Sequence, residues 1–269
     1  MPYMTYSQLK NSAKMRLAPV TGKLVGVAAI YFGLTFVISE AAAVPVLFTE
    51  SVALRAIFYF LFTLLGGVLT GMVDAGIQYL FLKLYCGRPV AVGDLFYPFT
   101  SQTKTCVGLS FVLSFINLLP VMPAYIFGTR FSMAMERVNL EALASDMDAA
   151  ALSLPPDMIN LLTITLFCVT PALIIITMLG LLYSQAYYLM WDFPSCSVSE
   201  LLKKSRLLMR GHKGRLFYIQ VCFIPLIMLG GITCGIGMLW IFPFIYAVQT
   251  EFYLDLVTKR RIQIGLQGI

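Results

Sequence analysis

An all-α, polytopic membrane protein with six transmembrane helices is the fold class this sequence predicts, and three observations carry it. Of its 269 residues, 59% are hydrophobic and only 12% charged, where a soluble domain has about 25% charged. The apolar residues gather into runs of the roughly 20 residues a helix needs to cross a bilayer. Lysine and arginine are dense in alternate loops, the pattern that orients spans with their basic flanks in the cytoplasm. The net charge of +6 therefore speaks to a membrane surface before it speaks to nucleic acid, and no nucleic-acid partner is expected.

The elements follow in chain order within a single membrane domain, 1–269. Residues 1–22 form an N-terminal cytoplasmic amphipathic segment. The first span is read over Lys23–Phe48. Ala41–Ala43 resembles a signal-peptidase site, but the long amphipathic region before it favours an uncleaved helix. Ala53–Tyr85 and Thr105–Phe127 are the second and third spans. Residues 128–158 form an acidic segment on the outer side, expected to be a separate helix ending at Pro155-Pro156; it is read as a solvated or interfacial linker, with a lid or a surface for a protein partner as the alternatives. Ile159–Trp191 is the fourth span, long enough to be tilted or broken at Pro171. Residues 192–215 form a basic amphipathic cytoplasmic helix. Leu216–Thr233 and Ile236–Val257 close the chain, joined by a "TCGIG" turn that uses the conformational freedom of glycine.

Counting bases tests this order. Sixteen of the nineteen Lys and Arg residues fall at the two termini and in the loops after spans two and four. Three, Arg55, Arg130 and Arg137, fall on the other side. The split predicts six spans with both termini in the cytoplasm; one miscounted span would scramble it. The six cysteines show no C-x-x-C pair and are read as buried, inert thiols. No metal and no cofactor is expected.

A repeat is legible. "LKNSAKMRLAPVTGKLV" before span one and "LKKSRLLMRGHKGRLF" before span five share L-K-x-S, Met-Arg, then Gly, a base and Leu; "GDLFYPFTSQTK" before span three is a weaker third copy. The pattern is three interfacial helices, each followed by a transmembrane hairpin.

The stretch "KKSRLLMRGHKGRLFYIQVCFIPLIMLGGITCGIGMLWIFPFIYAVQTEFYLDL", with "YSQAYYLMWDFP" and "GDLFYPF" upstream, resembles the bacterial integral membrane family called domain of unknown function 975. The resemblance covers most of the chain and is strongest after Tyr183. Pro225-Leu226 replaces a tryptophan of the family pattern, and Pro243-Phe244 replaces Pro-Tyr. It implies a fold, a topology and a place in a bacterial plasma (inner) membrane, and assigns no activity.

The segment around the only histidine is the first candidate site. Ser197 and Glu200 form a capping-box pattern, so a helix starts there. At 100° per residue Lys203, Arg206, Arg210 and Lys213 share one arc, with Leu201, Leu202, Ser205, Leu208 and Met209 opposite. Gly211 is placed to end the helix in the left-handed conformation. Such a helix lies in the interface with its apolar face in lipid. The plain reading is a basic collar whose cations lie among lipid phosphates; the sharper one makes Lys203, Arg206, Arg210, Gly211, His212, Lys213 and Arg215 the lipid- or phosphate-binding residues, with glycine N–H groups and bases converging on an anion. The expected partners are anionic headgroups of the cytoplasmic leaflet. Histidine chemistry has only Asp192, Glu200 and Ser205 to draw on, and no catalytic residue is assigned.

Polar groups inside the spans are the second candidate. Asp74 lies within span two with Gln78 one turn on, and a carboxylate there costs several kcal/mol unless paired or protonated. Asn117, Gln185, Glu251 and Asp255 complete the intramembrane polar set. Glu251 and Asp255 are expected to pair with the basic rim; the others either tie helices together or line a polar path.

The function expected is that of a non-catalytic, lipid-interacting or assembly/adaptor protein. A small transporter or permease component using Asp74 is the alternative, and a lipid-modifying enzyme at the inner interface the second.

Overall fold

A computed structural model of the chain describes residues 3–44, 51–144 and 156–260. Among them the secondary structure is helical: α1 (Tyr6–Leu17), α2 (Thr21–Ala43), α3 (Val52–Tyr85), α4 (Tyr97–Thr100), α5 (Thr103–Leu118), α6 (Met122–Ala144), α7 (Pro156–Tyr183), α8 (Ala186–Asp192), α9 (Val198–Met209), α10 (Lys213–Ile232) and α11 (Met238–Arg260). Five stretches, Tyr6–Ala41, Val52–Tyr85, Thr103–Glu136, Asp157–Asp192 and Lys213–Ile232, are long and apolar enough to cross a membrane. The sixth expected span folds as α11, but Gln249, Glu251 and Asp255 make its second half too polar to join them.

The chain divides into two compact units. One comprises Met1–Ile38, Gly67–Phe111 and Gly180–Ile269; the other comprises Ser39–Gly66 and Val112–Leu179. In the second, Tyr59 stacks on Tyr125 at 3.6 Å, while Phe167 is 78% and Ile174 62% exposed. Apolar side chains bared on that scale suit contact with lipid, not water. The first unit holds the tighter core, with Leu9, Ala75, Leu80, Leu95, Met190, Leu208, Phe252 and Leu256 all fully buried.

Several boundaries differ from the sequence reading. Span three does not stop before the acidic segment. Pro120 sits in a 3₁₀ turn, Leu119–Val121, and Pro123 in the first turn of α6, where a missing N–H leaves no helical bond unmade. The helix therefore runs on through Ala144, and among the described residues of the acidic segment up to Ala144 no separate outer helix starts after Phe127. The remainder of that acidic segment, with Asp146, Asp148 and Pro155, lies outside the described residues, as do Phe48, Glu50 and Arg261.

Span four is broken, but not at Pro171. That proline stays inside α7; the carbonyl it cannot reach, Phe167 O, accepts the Thr170 hydroxyl at 3.3 Å. The break comes at Ser184–Gln185, between α7 and α8. The thiols also differ from expectation, since only Cys106 is buried while Cys86 and Cys234 are exposed.

Helix α9 begins as its sequence predicts. The Ser197 N–H donates to Glu200 Oε2 at 2.9 Å and the Glu200 N–H to Ser197 Oγ at 3.4 Å. These bonds, with Lys204 and Lys203 near, hold the Glu200 carboxyl below the usual carboxylate range. A depressed folded-state value stabilises above the unfolded one, so this contribution is present at neutral pH and fades as pH falls through the folded value. Ser197→Ala should cost about 1 kcal/mol in a detergent-solution melt, and the difference from wild type should shrink in acid.

Candidate functional site

The basic turn is built from the end of α9 and the start of α10. Arg210 caps α9, and Gly211 turns the chain at φ +84°, a conformation that costs glycine nothing. His212 is the N-cap of α10 and Lys213 its first residue, so the basic helix expected over 192–215 is shorter. Lys213 and Arg215 belong to the next helix, not to the α9 arc.

A cavity of about 560 Å³ opens at this turn, lined by Leu182, Arg206, Leu207, Arg210, Gly211, Lys213 and Gly214. Three cations and two glycines face two leucines there, a lining that suits a phosphate attached to an apolar chain. The Arg206 guanidinium is steadied by the Tyr183 hydroxyl, which accepts from its Nε at 2.7 Å and also from Nη2. The break between α7 and α8 is docked here as well: Ser205 Oγ donates to the Leu182 carbonyl at 2.9 Å.

The apolar face of α9 is the one the sequence marks: Leu201, Leu202, Ser205, Leu208 and Met209 are buried. What covers it is protein, since α9 packs on α8 and α11. The face predicted to sink into lipid is thus already occupied, because two neighbouring helices offer it an apolar surface first. Lys203 and Arg206 remain on the exposed side. Lys204 turns to Cys196 Sγ, 2.9 Å away, and lies over the Phe193 ring.

Arg215 is committed elsewhere. Its Nη2 donates to Asp255 Oδ2 at 2.7 Å and to the Met4 carbonyl at 2.5 Å. Lys259 holds the other oxygen of Asp255 at 2.5 Å, and the Met4 N–H donates to Oδ2 at 3.2 Å. Tyr3 continues this clasp, lying under the Arg215 and Lys259 cations and 4.4 Å from the His212 ring. Glu251 pairs with Arg16 at 3.3 Å and accepts from the Ser12 hydroxyl. Both acids of α11 therefore meet the basic rim, as expected.

The three groups that sequence offered to His212 are engaged by others. Asp192 accepts from the Tyr253 hydroxyl, Glu200 belongs to the cap of α9, and Ser205 donates to Leu182.

Asp74 is met by two tyrosines that the sequence reading missed. Tyr31 on α2 donates to Asp74 Oδ1 at 2.6 Å and Tyr246 on α11 approaches the same oxygen at 3.5 Å. Three helices thus converge on one carboxyl. The ring of Phe242 lies 4.5 Å from Tyr31 and 4.6 Å from Tyr246. The other polar candidates do not join this cluster through any direct bond described here. Gln78 Oε1, Asn117 Oδ1 and Gln185 Oε1 are buried acceptors that meet no donor among the described residues. Gln185 sits at the break before α8, its Nε2 on Ser184 Oγ at 2.9 Å.

The family model described as "Protein of unknown function (DUF975)" matches residues 1–260, and the chain belongs to that family. No curated protein and no solved structure matches it.

Proposed function

Within a family whose description assigns no activity, we propose that this chain is a non-catalytic, six-span protein of a bacterial plasma membrane, with both termini cytoplasmic, that holds an anionic lipid headgroup in the cavity at the basic turn. The single observation that carries this reading is the lining of that cavity: Arg206, Arg210 and Lys213 around Gly211 and Gly214, beside Leu182 and Leu207. The cations meet the phosphate, the glycine N–H groups approach it closely, and the leucines accept the first part of an acyl chain. The basic collar and the long apolar helices support the topology. The proposed repeat is supported by α1 and α9, which are both 12 residues long and are each followed by three residues before a long apolar helix.

Each base near an anionic leaflet contributes about 1 kcal/mol, so losing two should weaken binding about thirtyfold. Arg210→Glu with Lys213→Glu is the variant to use, because Arg206 and Arg215 also hold the fold. Native mass spectrometry and vesicle flotation should show anionic-lipid binding lost by at least that factor, with an unchanged melting temperature. Equal binding of the variant, or equal retention of zwitterionic lipid by the wild type, would refute the site.

A further inference from the structure

Asp74 lies eleven residues before the end of α3 at Tyr85, which is roughly 16 Å along a helix rising 1.5 Å per residue. In a hydrocarbon core about 30 Å thick, that is close to mid-depth. The ion pairs described above involve Glu251 and Asp255, and Lys83 pairs with Asp94 at 2.7 Å. Among the described residues the side chains that bond Asp74 are neutral: Tyr31 from α2 and Tyr246 from α11. Gln78 lies a turn away on its own helix. Two hydroxyl donors solvate a carboxylate but leave its net charge in place, at a depth where a charge costs several kcal/mol. One proton removes that cost, and the protonated group still bonds the tyrosines, since it has one donor and spare acceptor capacity.

Buried hydroxyls lie along one side of the same unit, from Asp74 toward the surface. From Tyr246, the face of α11 continues through Thr250 to Tyr253, one and two turns on. Thr250 Oγ1 donates to the Tyr246 carbonyl at 2.8 Å and bonds the Tyr188 hydroxyl at 3.0 Å. Tyr188 stacks on Tyr253 with centroids 4.8 Å apart, and the Tyr253 hydroxyl donates to Asp192. Tyr188, Thr250 and Tyr253 are at most 1% exposed, whereas Asp192 is exposed. Four hydroxyls, those of Tyr246, Thr250, Tyr188 and Tyr253, therefore lie between a carboxyl at mid-depth and one at the surface; hydroxyl bonds join Thr250 to Tyr188 and Tyr253 to Asp192, while Thr250 meets Tyr246 at its backbone carbonyl and Tyr188 meets Tyr253 through the rings. If these groups served packing alone, phenylalanine and valine would do it without burying hydroxyls.

We propose that Asp74 is a reversible proton-binding site, served from the Asp192 side by the Tyr246–Thr250–Tyr188–Tyr253 hydroxyls. The proton is the only ligand required, and the step is its transfer to and from the Asp74 carboxylate with no other bond made or broken. This inference does not depend on the headgroup site.

Infrared spectroscopy of the purified protein in detergent tests it. A carbonyl band of a protonated carboxylic acid should be present near neutral pH, vanish in the isosteric Asp74→Asn, and weaken reversibly as pH is raised. On transfer to D2O the band should shift as the acid proton exchanges, and Thr250→Val with Tyr253→Phe should slow that shift several-fold. No such band in the wild type, or a band that survives in Asp74→Asn, overturns the site. A band whose exchange is as fast in the double variant overturns the route. If the double variant fails to fold, Asp192→Asn at the exposed end replaces it with the same expectation.

Discussion

Replacing Gly76 with alanine is expected to cost the protein about 3 kcal/mol or more. A Cβ built there would lie 1.9 Å from the Leu95 carbonyl oxygen and 2.7 Å from its carbon. Both are backbone atoms, so no rotamer change relieves the clash. The segment Val92–Phe96 would have to lift off α3 as a body. Leu95, fully buried, would leave its site, Tyr97 would lose its stack on Tyr79 at 4.2 Å, and the Lys83–Asp94 pair would open. Against a total stability of about 5–15 kcal/mol, that is a large share. Gly26→Ala is the matched control, since its Cβ would meet nothing within 4 Å and alanine favours helix. Melting followed by Trp191 fluorescence should separate the two; equal melting temperatures would show that the segment yields freely.

Asp255→Ala is the second large effect, again about 3 kcal/mol. Asp255 is 7% exposed and receives Arg215, Lys259 and the Met4 N–H together. Without it the Arg215 guanidinium, whose Nη1 is already buried without a partner, faces only the Met4 carbonyl and the faces of Tyr3 and Phe252. The penalty comes from the orphaned cation more than from the lost attraction, so Arg215→Met in the same chain should restore much of the loss. A double-mutant cycle on melting free energies gives the coupling. The variant should also expose residues 3–5 to limited proteolysis. Additive single effects would show that the two side chains do not depend on each other.

What was legible in the sequence was local. The cap at Ser197, the stop at Gly211 and the five buried positions of α9 all rest on neighbours within a turn or two, so spacing alone reveals them. The pairing of Glu251 and Asp255 with the rim was legible for another reason: buried acids need bases, and the bases lie at one end. What covers α9 was not legible, because lipid and a neighbouring helix present the same apolar surface to a periodicity. The break at Ser184–Gln185 was masked by Pro171, which signals a kink from any single sequence, whereas the carbonyls freed at the actual break are capped by side chains such as Ser205. The tyrosines on Asp74 come from 43 and 172 residues away. Among 14 tyrosines, nothing in the order of residues marks those two.

The clasp around Met4 has a consequence for the order in which this unit folds. Helix α1 rests on α11, and Tyr3 and Met4 are gripped by Arg215, Asp255 and Lys259, with the partners of Met4 lying 211 and 251 residues along the chain. The unit cannot close until α11 has been made, and contacts of such long sequence separation make closure its slow step.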